Sequence, residues 1–203
     1  MAGVNVAIIY YSATGTTQAQ AERLAQTAEK AGAEVRLRHV AELAPDEVIE
    51  SMDQWAQHRQ KVKDEPTAKP DDVVWADVVL FGSPTRFGNV SSQLKQFMDT
   101  LGPQWGQGQL ADKVYAGFTS SKTSHGGQES TLLALYNTIH HWGGLVVSPG
   151  YTDTVKFVDG NPYGVSKVTG PGDVAEELDS NDYNALDHLA ERAIDVARRL
   201  KPA

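Results

Sequence analysis

Apolar residues fall along this chain in two rhythms, short unbroken runs and three-to-four-residue spacings, and the two take turns. Residues 4–11 form a run rich in Val, Ile and Tyr, the pattern of a strand covered on both faces. Residues 12–17 make a polar turn. Within residues 18–31, Ala21, Leu24, Ala25 and Ala28 recur at helical spacing, and Gly32 is placed to end that helix. Residues 34–40 alternate, Val35, Leu37 and His39 facing one way and Arg36 and Arg38 the other, which predicts a strand with one face better covered. Residues 46–60 predict a single helix with Val48, Met52 and Trp55 on one face. Residues 61–72 are polar, contain Pro66 and Pro70, and predict a loop.

The second half repeats the scheme. Residues 78–82 predict a buried strand, 84–89 a loop, and 91–101 a helix with Leu94, Phe97, Met98 and Leu101 inward, stopped by Gly102 and Pro103. Residues 114–119 predict a strand, 120–127 a polar loop, and 128–142 a helix burying Leu132, Leu135, Tyr136 and Ile139. Residues 145–148 predict the last strand, and 151–172, with Pro162, Pro171 and several glycines, an irregular insertion. An amphipathic helix over 182–201 closes the chain. Strand alternating with helix in this way predicts an α/β fold, a parallel sheet with helices on both faces, because right-handed crossovers allow little else. The 203 residues suit one domain over 1–203 with a substantial core. Ligands of such sheets bind beyond the carboxyl ends of the strands. The loops after Tyr11, Gly82 and Thr119 lie there, so topology nominates them as one site.

Composition narrows the chemistry. The chain has no cysteine, which excludes disulfides, thiolate catalysis and Cys-ligated metal; redox work would then need a bound cofactor. Six scattered histidines give no ligand spacing, and no metal is expected. The net charge of -8 offers no basic stripe for nucleic acid. No apolar run is long enough to span a bilayer and no secretory signal precedes the first strand, so neither membrane insertion nor export is expected, and the cytoplasm is the default compartment.

The first loop reads Ser12-Ala13-Thr14-Gly15-Thr16-Thr17, four hydroxyls around one glycine at a helix N-terminus. Hydroxyls, free helix N–H groups and the helix dipole suit a phosphate monoester; the same residues also suit an ordinary capped turn. The spacing is neither that of a Walker loop nor that of a dinucleotide fingerprint.

Ser-x-Thr-Gly-x-Thr after a first strand resembles the flavodoxin phosphate loop. Pro84-Thr85-Arg86-Phe87-Gly88, Gly126-Gly127-Gln128-Glu129, His140-His141-Trp142-Gly143 and Asn161-Pro162-Tyr163-Gly164 resemble, in order, segments of the WrbA family of NAD(P)H:quinone oxidoreductases. The resemblance runs from about Val4 to the last helix. It implies a flavodoxin-like doubly wound, five-stranded parallel sheet of order 2-1-3-4-5 with an irregular insertion towards the C-terminus. It implies FMN as cofactor, NADH or NADPH as co-substrate, and two-electron, ping-pong reduction of a quinone to a hydroquinone in a homotetramer whose sites neighbouring subunits complete. Carried over by position, Ser12, Ala13, Thr14, Gly15, Thr16 and Thr17 would hold the phosphate. Thr85, Arg86 and Phe87 would meet the flavin ring, and Ser120, Ser121, Lys122 and Gly126 the pyrimidine edge and ribityl chain. Trp105 would stack on substrate, and His141 would sit at the flavin edge as the catalytic donor. The third loop is one residue longer and poorer in glycine than the family's, and Thr14 stands where the family often has tyrosine near the nicotinamide.

Read as residues alone, three of these have a second reading. Trp105 suits a surface aromatic, Arg86 a solvated ion pair, and His141 a helix C-terminus where imidazole is favoured by the dipole, with His140 one residue away. The rival function, of another class, is a flavodoxin-type one-electron carrier. Its acidic surface would suit docking on basic partners, and it would need neither the 151–172 insertion nor the loop of Trp105.

Overall fold

The computed structural model describes residues 3–170 and 177–201. In chain order the elements are β1 (Asn5–Tyr10), α1 (Thr16–Lys30), β2 (Glu34–His39), α2 (Asp46–Glu50), α3 (Asp53–Val62), α4 (Pro70–Trp75), β3 (Val78–Pro84), α5 (Ser92–Asp99) and α6 (Gly102–Gly106). Then follow β4 (Val114–Ser121), α7 (Gln128–Trp142), β5 (Leu145–Val146), α8 (Lys156–Asp159), β6 (Val165–Val168) and α9 (Ser180–Leu200). The strands form one parallel sheet in the order β2-β1-β3-β4-β5, as the resemblance implied, with β6 also paired to β4.

The unbroken apolar runs follow from the layering. In β1, Val6, Ile8 and Tyr10 enter one core while Ala7 and Ile9 enter the other, so each residue needs an apolar side chain. Val78 and Leu80 of β3 share the first core, and Val79 and Phe81 the second. The first core is closed by Leu24 and Ala28 of α1 with Leu186, Leu189 and Ile194 of α9, the second by Leu94 and Met98 of α5 with Leu135 and Ile139 of α7. Among the described residues, no helix is long and apolar enough to cross a membrane.

Four expectations are corrected. Residues 46–60 form two helices, not one: the chain is extended at Met52, and Val48 and Met52 point to solvent while Ile49 and His58 are buried. Of the three spaced residues only Trp55 packs against the core, and it is partly buried. The predicted 61–72 loop ends early, because Pro70, whose fixed φ suits a first helical position, starts α4, and Asp72 accepts from the Lys69 N–H at 2.9 Å. The helix expected over 91–101 ends at Asp99, before Gly102 and Pro103, which open the short α6 instead of stopping α5.

The fourth concerns the sheet edge. The sheet has six strands, because the fifth position is split. β5 pairs with Val114 and Tyr115, and β6 resumes alongside residues 118–121 of β4. The segment read as irregular therefore contains α8 and β6; Pro171 and Gly172, which closed that expected segment, lie outside the described residues. Lys156, fully buried, holds the excursion by pairing with Asp159 and donating to the Gly164 carbonyl at 2.9 Å. Gly164 is required where it is: a Cβ there would lie 2.2 Å from the Gly117 carbonyl oxygen of β4.

Candidate cofactor site

Three loops meet beyond the carboxyl ends of β1, β3 and β4 and enclose a cavity of about 400 Å³. In the first, Ser12 Oγ accepts from the Gly15 N–H at 2.9 Å, folding the chain into a tight turn. Gly15 caps α1 with φ +106, a backbone region that side chains other than glycine rarely adopt. The first-turn N–H groups of α1 have no acceptor within the helix, and the helix dipole adds positive potential there.

The loops are tied to one another. Thr17 Oγ1 and Ser120 Oγ are 3.2 Å apart, joining the first to the third. The Thr85 N–H donates to the Ser120 carbonyl at 2.8 Å, and Thr131 at the head of α7 donates to Thr85 Oγ1 at 2.8 Å, joining the second to the third. Backbones crowd here: a Cβ on Gly127 would stand 3.0 Å from the Gly88 Cα, and one on Gly126 2.8 Å from the Ser121 Cβ. Large side chains at these glycines would push the loops apart.

Ser12, Ala13, Thr14, Thr16, Thr17, Thr85, Arg86, Ser120, Ser121, Lys122 and Gly126 all line this cavity; Gly15, between Thr14 and Thr16, does not line it but caps α1. Phe87 follows Arg86 with φ +53 and is fully exposed. Trp105 and His141 are elsewhere. They lie together, the indole N–H donating to the His141 carbonyl at 3.0 Å. α7 ends beside the start of β4: the Trp142 ring packs on Tyr115 at 5.9 Å, and Leu145 pairs with Val114. The length of β4, roughly 25 Å at about 3.3 Å per residue, separates that end from the three loops.

The cavity also has walls absent from the expected list. Met52, Gln54 and Trp55 come from the segment α2–α3, and Thr169 comes from the end of β6. The Trp55 indole N–H donates to Glu42 at 3.0 Å; Glu42 also accepts from the Tyr11 hydroxyl at 2.8 Å and from Gln93 at 2.7 Å. Burial works to raise the Glu42 pKa, but the N–H groups of Ala44 and Leu43 and these side-chain donors outweigh it and hold the carboxyl below its ordinary value. Burial, with Glu42 alongside, drives the Tyr11 hydroxyl far above its ordinary range, so it stays a donor. Thr169 follows a strand that the Val165-Ser166-Lys167-Val168 pattern does not announce; Trp55 was read on one face of a helix, without a place in this site.

A family model described as NADPH-dependent FMN reductase matches residues 4–156. The chain belongs to this family. Its curated relatives include the NAD(P)H dehydrogenase (quinone) of Deinococcus radiodurans, 45% identical over 200 residues and covering 98% of both chains. The protein of the same description from Sinorhizobium fredii is 38% identical over 202 residues, with 96% of this chain and 98% of the relative covered. Among solved structures, a WrbA-like flavodoxin from Agrobacterium tumefaciens superposes with a TM-score of 0.67 at 26% identity, covering 98% of this chain and 100% of that one. The flavodoxin-like fold and the WrbA-type family implied by the motifs agree with these matches. An archaeal flavodoxin at 18% identity and a TM-score of 0.60 shares the fold alone.

The residues present fit FMN. A hydroxyl-rich turn with a left-handed glycine at a helix N-terminus suits one phosphate, and a cavity within the usual range for small ligands, walled on one side by Trp55 and Met52, suits a flat ring.

Proposed function

We propose that the protein is an FMN-dependent NAD(P)H:quinone oxidoreductase. The observation that carries this reading is the cross-tied cavity at the ends of β1, β3 and β4, with Gly15 at the head of α1. FMN, when bound, supplies hydride acceptance from NADH or NADPH and two-electron delivery to a quinone. The chain supplies binding, orientation and exclusion of water. Ser12, Thr14, Thr16 and Thr17, with the N–H groups of Ala13 and the first turn of α1, hold the phosphate, and Gly15 shapes the turn. Thr85, Arg86 and Phe87 position the ring. Ser120, Ser121, Lys122 and Gly126 hold its polar edge and the ribityl chain.

Trp105 and His141 belong to this reading only across a subunit boundary. Both are exposed and held together at the amino end of the sheet, and in a homotetramer they would complete the site of a neighbouring copy, Trp105 against quinone and His141 as donor. Nicotinamide and quinone, both flat, would then use one open ring face in turn, in a cytoplasmic enzyme. The carrier reading is less well supported, since the relatives covering nearly the whole chain are described as NAD(P)H dehydrogenases (quinone).

Initial rates of the FMN-loaded protein against NADPH and NADH at several benzoquinone concentrations test the proposal. Parallel double-reciprocal lines are expected. Intersecting lines would remove the shared face, and absence of turnover with either nucleotide would remove the enzyme.

A further inference from the structure

Beneath the first loop lies a buried histidine that the reading above does not use. His58, on α3, is 8% exposed. A Cβ built on Gly15 would stand 3.5 Å from its Cδ2, so the imidazole packs against the left-handed turn that opens α1. Its Nε2 is 2.7 Å from Gln18 Oε1. The Gln18 side-chain amide donates to Glu22 Oε1 at 2.9 Å and to Glu65 Oε1 at 3.0 Å, and both carboxylates are acceptors. The amide nitrogen is therefore committed to the two acids, its carbonyl must face His58, and His58 must donate from Nε2. Glu65 is held in turn by the Tyr10 hydroxyl at 3.2 Å. Gln18 is the third residue of α1, so its own N–H is one of the first-turn donors without an intrahelical partner.

We propose, resting on the FMN reading above, that His58 is a positioning residue for the phosphate half of the site. Through Gln18 it fixes the direction of the first-turn N–H groups of α1, and through its ring it supports Gly15. A network running from α3 through α1 to β1 thereby preorganises the loop before any ligand arrives. Burial, reinforced by the charge of Lys61, pushes the His58 pKa down to about 4, which keeps the ring neutral and its Nε2 proton available to Gln18 at physiological pH.

The variants that test this are H58F, which keeps a ring and removes the donor, H58A, and H58Q, whose amide nitrogen restores a donor at similar reach. Quenching of flavin fluorescence gives the Kd of FMN and of riboflavin, which lacks the phosphate, for each variant and the wild-type chain. Wild type is expected to prefer FMN. H58F and H58A should lose roughly tenfold or more of their FMN affinity while riboflavin affinity holds, because an unpaired buried carbonyl lets the turn shift. H58Q should recover most of the loss. A preference for FMN that survives in both H58F and H58A would overturn the inference alone, as would equal losses for the two flavins. A wild-type chain that binds both flavins equally would overturn the phosphate-loop reading and the inference with it.

Discussion

The two ends of the central sheet are built on opposite plans. At the carboxyl end, three polar loops cross-tie through hydroxyls and close glycine contacts around a cavity. At the amino end, Phe81, Tyr115 and Trp142 pack ring on ring, Lys201 pairs with Asp77 at 2.7 Å, and Trp105 and His141 form an exposed pair. The first arrangement can bind a ligand within one chain. The second holds residues that the motifs link to the site but that do not line this cavity. A motif therefore locates a residue in the sequence without saying in whose site it acts; the two ends are built differently, and in the homotetramer proposed above a second copy would join them.

The comparison breaks most sharply at Ser12. Ser12→Asp keeps an acceptor for the Gly15 N–H but places a carboxylate in the cavity. At about 4 Å and an effective dielectric near 20, repulsion of a phosphate is on the order of 4 kcal/mol per unit charge before screening, so FMN affinity should fall by roughly a thousandfold. Circular dichroism should stay native. Unchanged FMN quenching would detach the first loop from the phosphate.

The other end answers to Trp105→Ala. FMN affinity should hold, while kcat/KM for benzoquinone drops about tenfold through loss of aromatic stacking. Mixed oligomers of Ser12→Asp and Trp105→Ala chains should then recover part of the activity, since each supplies what the other lacks. No recovery, with mixing verified by mass, would rule out sites completed across copies.

Much of this was legible in the chain, and what was not has physical causes. β1, β3 and β4 are buried on both faces, so their apolar runs are unambiguous, and topology then placed the three loops. The α2–α3 segment misled because Val48 and Met52 follow helical spacing yet face solvent beside the cavity rather than a core. The split fifth strand was hidden because β6 is a short edge segment whose two buried residues are Val165 and a charged one, Lys167, which pairs with Asp182. Trp105 and His141 were found by motif, but their distance from the loops depends on the direction in which α5 and α7 run, which local pattern does not encode.

A smaller effect follows from His58. In the unfolded chain it titrates near 6.5, and in the fold near 4, its ring facing Lys61 on its own helix, His39 of β2, Glu42 beyond it and Gln18 of α1. Arg59 and Lys63 line, with His58, a second cavity of about 220 Å³, and Glu22 and Glu65 stand behind Gln18. The unfolded chain thus binds more protons between pH 4 and 6.5, so this residue lowers stability as pH falls through that window, by at most about 3 kcal/mol. Urea unfolding at pH 7.5 and 5 should show that loss, and His58→Gln should flatten it. An equal slope in both proteins would contradict a buried neutral imidazole.

The smallest effect is at the ties themselves. Thr131→Val removes the hydroxyl bond to Thr85 and another to the Gly127 carbonyl, and should cost about 1 kcal/mol, read as a drop of a few degrees in Tm with little change in FMN affinity. A large loss of FMN binding would mean that this tie holds the site rather than the fold.

The central claim, a two-electron flavin enzyme at the carboxyl end of the sheet, is tested most directly by anaerobic titration of the FMN-loaded protein with NADPH and NADH, followed at the flavin absorbance, with benzoquinone added at the end. The account predicts full bleaching by one equivalent of the preferred nucleotide and full return of colour on one equivalent of benzoquinone. A flavin that neither nucleotide bleaches, in a sample shown to hold FMN, would contradict it.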